Sequence, residues 1–160
     1  MIRYLEKQNL LILETERTSY WIGLAYPAPV CLYWGRKIAP EDADMFEPLG
    51  GHSSFDTELW RERMEYPAFD GRTFENVSLK ADVPLNLRTK DVHVQGQQAE
   101  ITLADEANIM EVCLMYRVFE DCDVIQKHAR LTANAPIRLT RMDSGACLLP
   151  HEAKPWTAHY

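Results

Sequence analysis

Residues 109–120 read IMEVCLMYRVFE. The even positions Met110, Val112, Leu114, Tyr116 and Val118 make one apolar face, and the odd positions are mixed, with Glu111 and Arg117 among them. Alternation at period two marks a strand with one face on a core. The same period recurs on both sides. Upstream lie NLLILETE (9–16), SYWIGLAY (19–26), PVCLYWGRK (29–37), VSLKADV (77–83), LNLRTKDVHVQG (85–96, after the break at Pro84) and AEITLAD (99–105). Downstream, EDCD turns the chain into DVIQKHARLTA (123–133), and IRLTRMDSGACLL (137–149) follows NAP. The only helical candidate is FDTELWRERM (55–64), whose Phe55, Leu59 and Met64 do not fall in one stripe. The pattern predicts about nine or ten short strands and no helix longer than a turn or two. The expected fold class is all-β, an antiparallel β-sandwich.

Composition bounds the function classes. The chain has 160 residues, 46% hydrophobic and 26% charged, which suits one globular domain. A net charge of −7 argues against nucleic acid as a partner, since phosphate binding needs a basic face. No run of 18 apolar residues is present, so no membrane span is expected. The start, MIRYLEKQNLLILETE, lacks a long apolar region and carries acids early, unlike a secretory signal. A cytoplasmic location is therefore expected. The four cysteines, Cys31, Cys113, Cys122 and Cys147, form no C-x-x-C pair, and the five histidines are scattered. No metal site and no cofactor are expected, and the cysteines read as buried free thiols.

The period breaks over 38–60, where Pro40, Pro48, Gly50-Gly51 and several acids make a long irregular loop. A second corner follows in MEYPAFDGRTFENVSL (64–79). Pro67 fixes a turn and holds Tyr66 extended, and Asp70-Gly71 is a strong turn pair. In CLYWGRKI (31–38), Trp34 is expected to pack in the core and Gly35 to close the strand where no side chain fits or a positive φ is needed. Glu120 and Asp121 suit a hairpin tip. Lys127, His128 and Arg130 read as a solvent-facing or domain-facing basic edge.

Three segments carry more than composition. CLYWGRKI (31–38) resembles an L-Y-W-G-K stretch of bacterial α-galactosidases of glycoside hydrolase family 36. FDTELWRERMEYPAFDG (55–71) is similar to that family's S-L-D-T-x-x-x-E-Y-P-x-x-G segment. AEITLADEANIMEVCLMYRVFEDCDVIQKHARLTANAPIRLTR (99–141) resembles its stretch built around Y-x-V-F-E-x-x-D-V-I. The order and approximate spacing match, up to about residue 150, and the last motif is the most specific.

The resemblance implies an N-terminal domain, part of a galactose mutarotase-like β-supersandwich, over 1–150, with 151–160 as a tail or the start of a linker. It implies that the chemistry of the full enzyme, retaining hydrolysis of α-galactosides, belongs to two aspartates on a following (β/α)₈ barrel. A barrel needs roughly 250 residues of its own, so the chain alone is expected to lack catalytic residues and cleave nothing. Its expected partners are that missing catalytic barrel domain, the α-galactoside substrate in the full enzyme, and copies of itself in a homo-oligomer, helped by sandwich edges left open. The family's loop after L-Y-W-G can reach a sugar, which makes Asp44 and Phe46 candidate substrate contacts, although their spacing departs from the family pattern. Phe69 and Asp70 are candidates on separate grounds, an aromatic ring beside an acid. The alternative class is a free-standing carbohydrate-binding or protein-interaction module. An unrelated β-sandwich adaptor would require three ordered motif matches to be accidental.

Overall fold

A computed structural model describes residues 1–41, 58–73 and 76–147. Ten strands occur among them: β1 (Ile2–Leu5), β2 (Leu10–Glu14), β3 (Thr18–Gly23), β4 (Val30–Arg36), β5 (Leu79–Ala81), β6 (Leu87–Gln95), β7 (Gln98–Asp105), β8 (Met110–Phe119), β9 (Val124–Ala133) and β10 (Leu139–Met142). The single turn of helix α1 (Leu59–Glu62) lies between β4 and β5. Strands β1 to β4 form one antiparallel meander and β6 to β9 a second, while β5 pairs with β10. The protein is an all-β antiparallel sandwich. The alternation misses β1, which is four residues long, and its last segment shrinks to the exposed Leu139–Met142.

The core lies between the two meanders. Leu11, Leu13, Tyr20, Ile22 and Cys31 meet Ile101, Leu103, Met110, Val112, Leu114, Tyr116 and Val118. The whole even face of β8 is thus buried, as its alternation predicts. Two connections use one device. Short 3₁₀ turns at Glu6–Gln8 and Glu120–Cys122 end in Asn9 (φ 48°) and Asp123 (φ 53°). Asn and Asp tolerate this left-handed conformation better than most residues.

The first meander is buried on both faces. Leu10, Ile12 and Trp21 form a second apolar cluster, flanked by Leu5, Leu32, Tyr33 and Ile38. Every residue of β2 is consequently buried, which explains its unbroken LLIL run.

Two expectations fail. Trp34 is not a core residue: it is 37% exposed, its ring edge-on to Tyr20 at 6.3 Å. A register shift between β3 and β4, where Trp21 opposes Tyr33 but Ile22 opposes Cys31, sets Trp34 opposite Tyr20. Leu32 is the extra residue, and such a bulge breaks the alternation that sorts side chains between faces. The cysteines also divide. Cys31 and Cys113 are buried, but Cys122 and Cys147 are exposed, all four as free thiols. Cys122 belongs to the 3₁₀ turn of the β8–β9 connection, outside the paired strands.

Candidate functional site

The segment from Glu58 to Thr73 links the first meander to β5. It runs beside β4 through Cys31 N–H to Arg63 O (2.8 Å) and Glu65 N–H to Pro29 O (2.9 Å). Its far end is tied to β5 by Phe69 N–H to Leu79 O (2.9 Å) and by Ser78 N–H to Pro67 O (2.7 Å). The Tyr66 hydroxyl donates to Asp143 O at 3.0 Å. Burial, reinforced by the Asp143 charge, pushes that hydroxyl up to about 12.

Asp70 makes the corner itself. Its Oδ1 accepts the N–H groups of Arg72 (2.9 Å) and Thr73 (2.8 Å), and its Oδ2 accepts from Arg61 Nη1 at 2.5 Å. Gly71 follows with φ 87°, a conformation open to glycine and costly to other residues. Burial works to raise the Asp70 carboxyl, but the two amides and the Arg61 guanidinium override it and hold it below its ordinary value. Arg61 also pairs with Glu58 at 3.0 Å and lies over the Trp60 ring at 4.9 Å. Phe69 is half-buried, with the Lys80 ammonium 5.3 Å from its ring centre.

Phe69 and Asp70 are therefore adjacent at one corner, with Asp70 holding the turn. Asp44 and Phe46 lie outside the described residues, as does most of the 38–60 loop.

Asp70→Asn should destabilise the chain by about 1 kcal/mol at neutral pH, a figure kept small by its partial exposure. The depressed carboxyl contributes stability in full above its ordinary value of 3.8, and loses it as pH falls through the folded value. The gap between wild type and variant, measured by urea denaturation, should therefore close as the solution is acidified below about pH 4.

A second group of polar side chains sits deeper, and nothing in the strand period points to it. Glu65 is 2% exposed. The Tyr20 hydroxyl donates to its Oε1, and its Oε2 accepts from the Tyr116 hydroxyl (2.8 Å) and from Lys127 Nζ (2.9 Å). The Lys127 ammonium also donates to Ala146 O and to the Tyr20 hydroxyl at 3.3 Å, so all three of its protons are used. Lys127 thus departs from the expected basic edge. On β9 it shares the inward face with Ile125, Ala129 and Leu131, while His128 and Arg130 face solvent.

Burial first, and then the Glu65 charge, holds the Tyr20 and Tyr116 hydroxyls well above the ordinary tyrosine range. The same two causes push the Cys31 thiol up to about 11. A protonated thiol is a poor nucleophile, so Cys31 belongs to the packing.

The other deeply buried carboxylates are also committed to their own chain. Glu14 pairs with Arg3 at 2.6 Å. Asp105 accepts the N–H groups of Asn86 (2.8 Å) and Ala107 (3.0 Å). Among the described residues no group of three or more His, Cys, Asp or Glu side chains could hold a metal ion, and no helix is long and apolar enough to cross a membrane.

Residues 27–159 match the Glycosyl hydrolase family 36 N-terminal domain. The chain belongs to that family. Solved structures carry the same fold at low identity. The galactosidase domain of the α-galactosidase-sucrose kinase AgaSK aligns with a TM-score of 0.73 at 21% identity, over 91% of this chain and 25% of that one. The family 36 α-galactosidase AgaB from Geobacillus stearothermophilus aligns with a TM-score of 0.70 at 20% identity, over 91% and 24%. A variant of AgaA from the same organism, in complex with raffinose, gives 0.67 at 22% identity over 85% and 24%. The chain thus spans about a quarter of the length of these proteins. A comparison with curated proteins gave no match.

The β3–β4 hairpin, the Glu65–Asp70 corner and the β8–β9 hairpin supply Tyr20, Glu65, Tyr116 and Lys127 to one point. For this family 36 N-terminal domain, the E-Y-P segment is the piece that joins the two sheets.

Proposed function

We propose that this chain is the non-catalytic β-sandwich portion of an α-galactosidase-like glycoside hydrolase. In the full enzyme, hydrolysis of terminal α-D-galactosides would be carried by a separate catalytic barrel, against which this domain packs and through which it supports oligomer contacts. The family match over 27–159 carries the reading. The fate of the buried carboxylates supports it. A retaining glycosidase needs a nucleophile and an acid/base about 5–5.5 Å apart at the mouth of a pocket, whereas Glu14, Glu65, Asp70 and Asp105 are engaged by donors of their own chain.

Within this proposal Phe69 is the residue of the corner that would meet a sugar, its half-buried ring offering an apolar face beside Lys80. Asp70 holds that ring in place through the turn. Asp44 and Phe46 are proposed to approach the sugar from the preceding loop. Residues 1–150 are proposed as the domain proper.

The purified chain, incubated with a chromogenic aryl α-galactoside, is expected to release no more aryl alcohol than a mock preparation. Turnover abolished by substituting one of the chain's own acids would overturn the proposal.

A further inference from the structure

A groove of about 700 Å³ opens where β1 meets β6, away from the Phe69–Asp70 corner. That size lies within the range of small-molecule sites, about 300–1,000 Å³. Tyr4, Leu24 and Val92 form its apolar side, each packed on the rim of the main core. Tyr26 adds a second, half-buried aromatic ring.

The polar lining narrows the ligand class. Arg88 and Lys90 reach the groove, but each is already paired, with Glu106 and Glu111 respectively. Glu6 and Asp91 also line it, and neither carboxylate makes an ion pair among the described residues. The uncommitted charge is thus negative, which disfavours phosphates and other anions. A wholly apolar ligand would leave the polar side of the lining without partners. A bound metal is disfavoured too, since no cluster of three or more ligating side chains exists here.

The β6–β7 register also slips between Thr89 and Asp91, with Lys90 as the extra residue. Bulges of this kind re-aim side chains beside binding sites.

We propose that this groove binds a neutral saccharide, with Tyr4 and Tyr26 meeting the C–H faces of pyranose rings. Glu6 and Asp91 accept hydrogen bonds from ring hydroxyls. The site is separate from the Phe69–Asp70 corner and needs no catalytic residue.

The test is a titration of the isotopically labelled chain with raffinose, followed by amide NMR. Saturable shifts are expected at Tyr4, Asn9, Leu24, Tyr26 and Thr89 to Val92. Tyr26→Ala should weaken binding at least about tenfold, and the exposed Asp91→Ala, which leaves the core untouched, should weaken it about fivefold. Shifts that never saturate, shifts confined to Phe69 and Asp70, or Asp91→Ala and Tyr26→Ala proteins that fold and bind as wild type would each overturn the proposal. The aryl α-galactoside assay does not depend on these outcomes, so either proposal can fail alone.

Discussion

Lys127→Ala is expected to lower the free energy of unfolding by about 3–5 kcal/mol, the usual consequence of removing one partner of a buried ion pair. The whole domain is worth about 5–15 kcal/mol, so this single change should bring the fold near its limit. The size follows from what is left behind. Glu65 is 2% exposed, and without Lys127 its charge would keep, among the described residues, only the two tyrosine hydroxyls as donors. Ala146 O would lose its donor as well.

The comparison that isolates the pair is a cycle with Glu65→Gln, Lys127→Met and both together. The double variant removes both charges at nearly constant volume, so it should be clearly more stable than the sum of the two single losses implies. A coupling above about 1 kcal/mol in urea denaturation is expected. A Lys127→Ala protein within about 1 kcal/mol of wild type would mean that solvent reaches Glu65 freely, and the account of this cluster would fall.

How much of this could be read from the residues alone depends on the period. Where one face meets the core and the other is less buried, alternation records burial, and β8 is such a strand, although Cys113 on its second face is buried too. The turns were legible for a related reason: Asp70-Gly71 demands a positive φ that the glycine supplies at 87°. The Glu65 cluster was not legible, because a lysine on a strand reads as a surface residue unless its partner is known. That partner is 62 residues away in sequence, and only the packing of the two meanders brings them together. The groove between β1 and β6 was hidden for the same reason. Its tyrosines come from separate strands and turns, and β1 is too short to show a period. Trp34 failed differently. A one-residue bulge at Leu32 sets it opposite Tyr20, and no local signal in LYWG announces that shift. The candidate sugar contacts divide likewise. Asp70 was readable as a turn former, whereas the Arg61 contact that fixes its carboxylate arises from a one-turn helix with no apolar stripe.

Trp21→Ala should be nearly as damaging, at about 3–5 kcal/mol, although Trp21 lies on the face of its sheet turned away from the sandwich interior. A conventional two-layer sandwich would leave that face in water, and truncating a solvated tryptophan costs little. Here Trp21 and Ile12 are each 0% exposed and Leu10 is 3% exposed. Trp21 also meets Tyr33 edge-on at 5.9 Å, an arrangement that favours aromatic pairs beyond their buried area. Removing the indole would open a cavity among Leu10, Ile12, Leu32 and Tyr33, whose backbones are held in a four-stranded ladder and cannot collapse into it. Trp34→Ala, one strand over and 37% exposed, is the internal control and should cost about 1 kcal/mol. Thermal or urea unfolding of the two variants side by side decides the matter. A Trp21→Ala loss no larger than that of Trp34→Ala would show that the second apolar cluster contributes little, and that the first meander is a one-sided sheet after all.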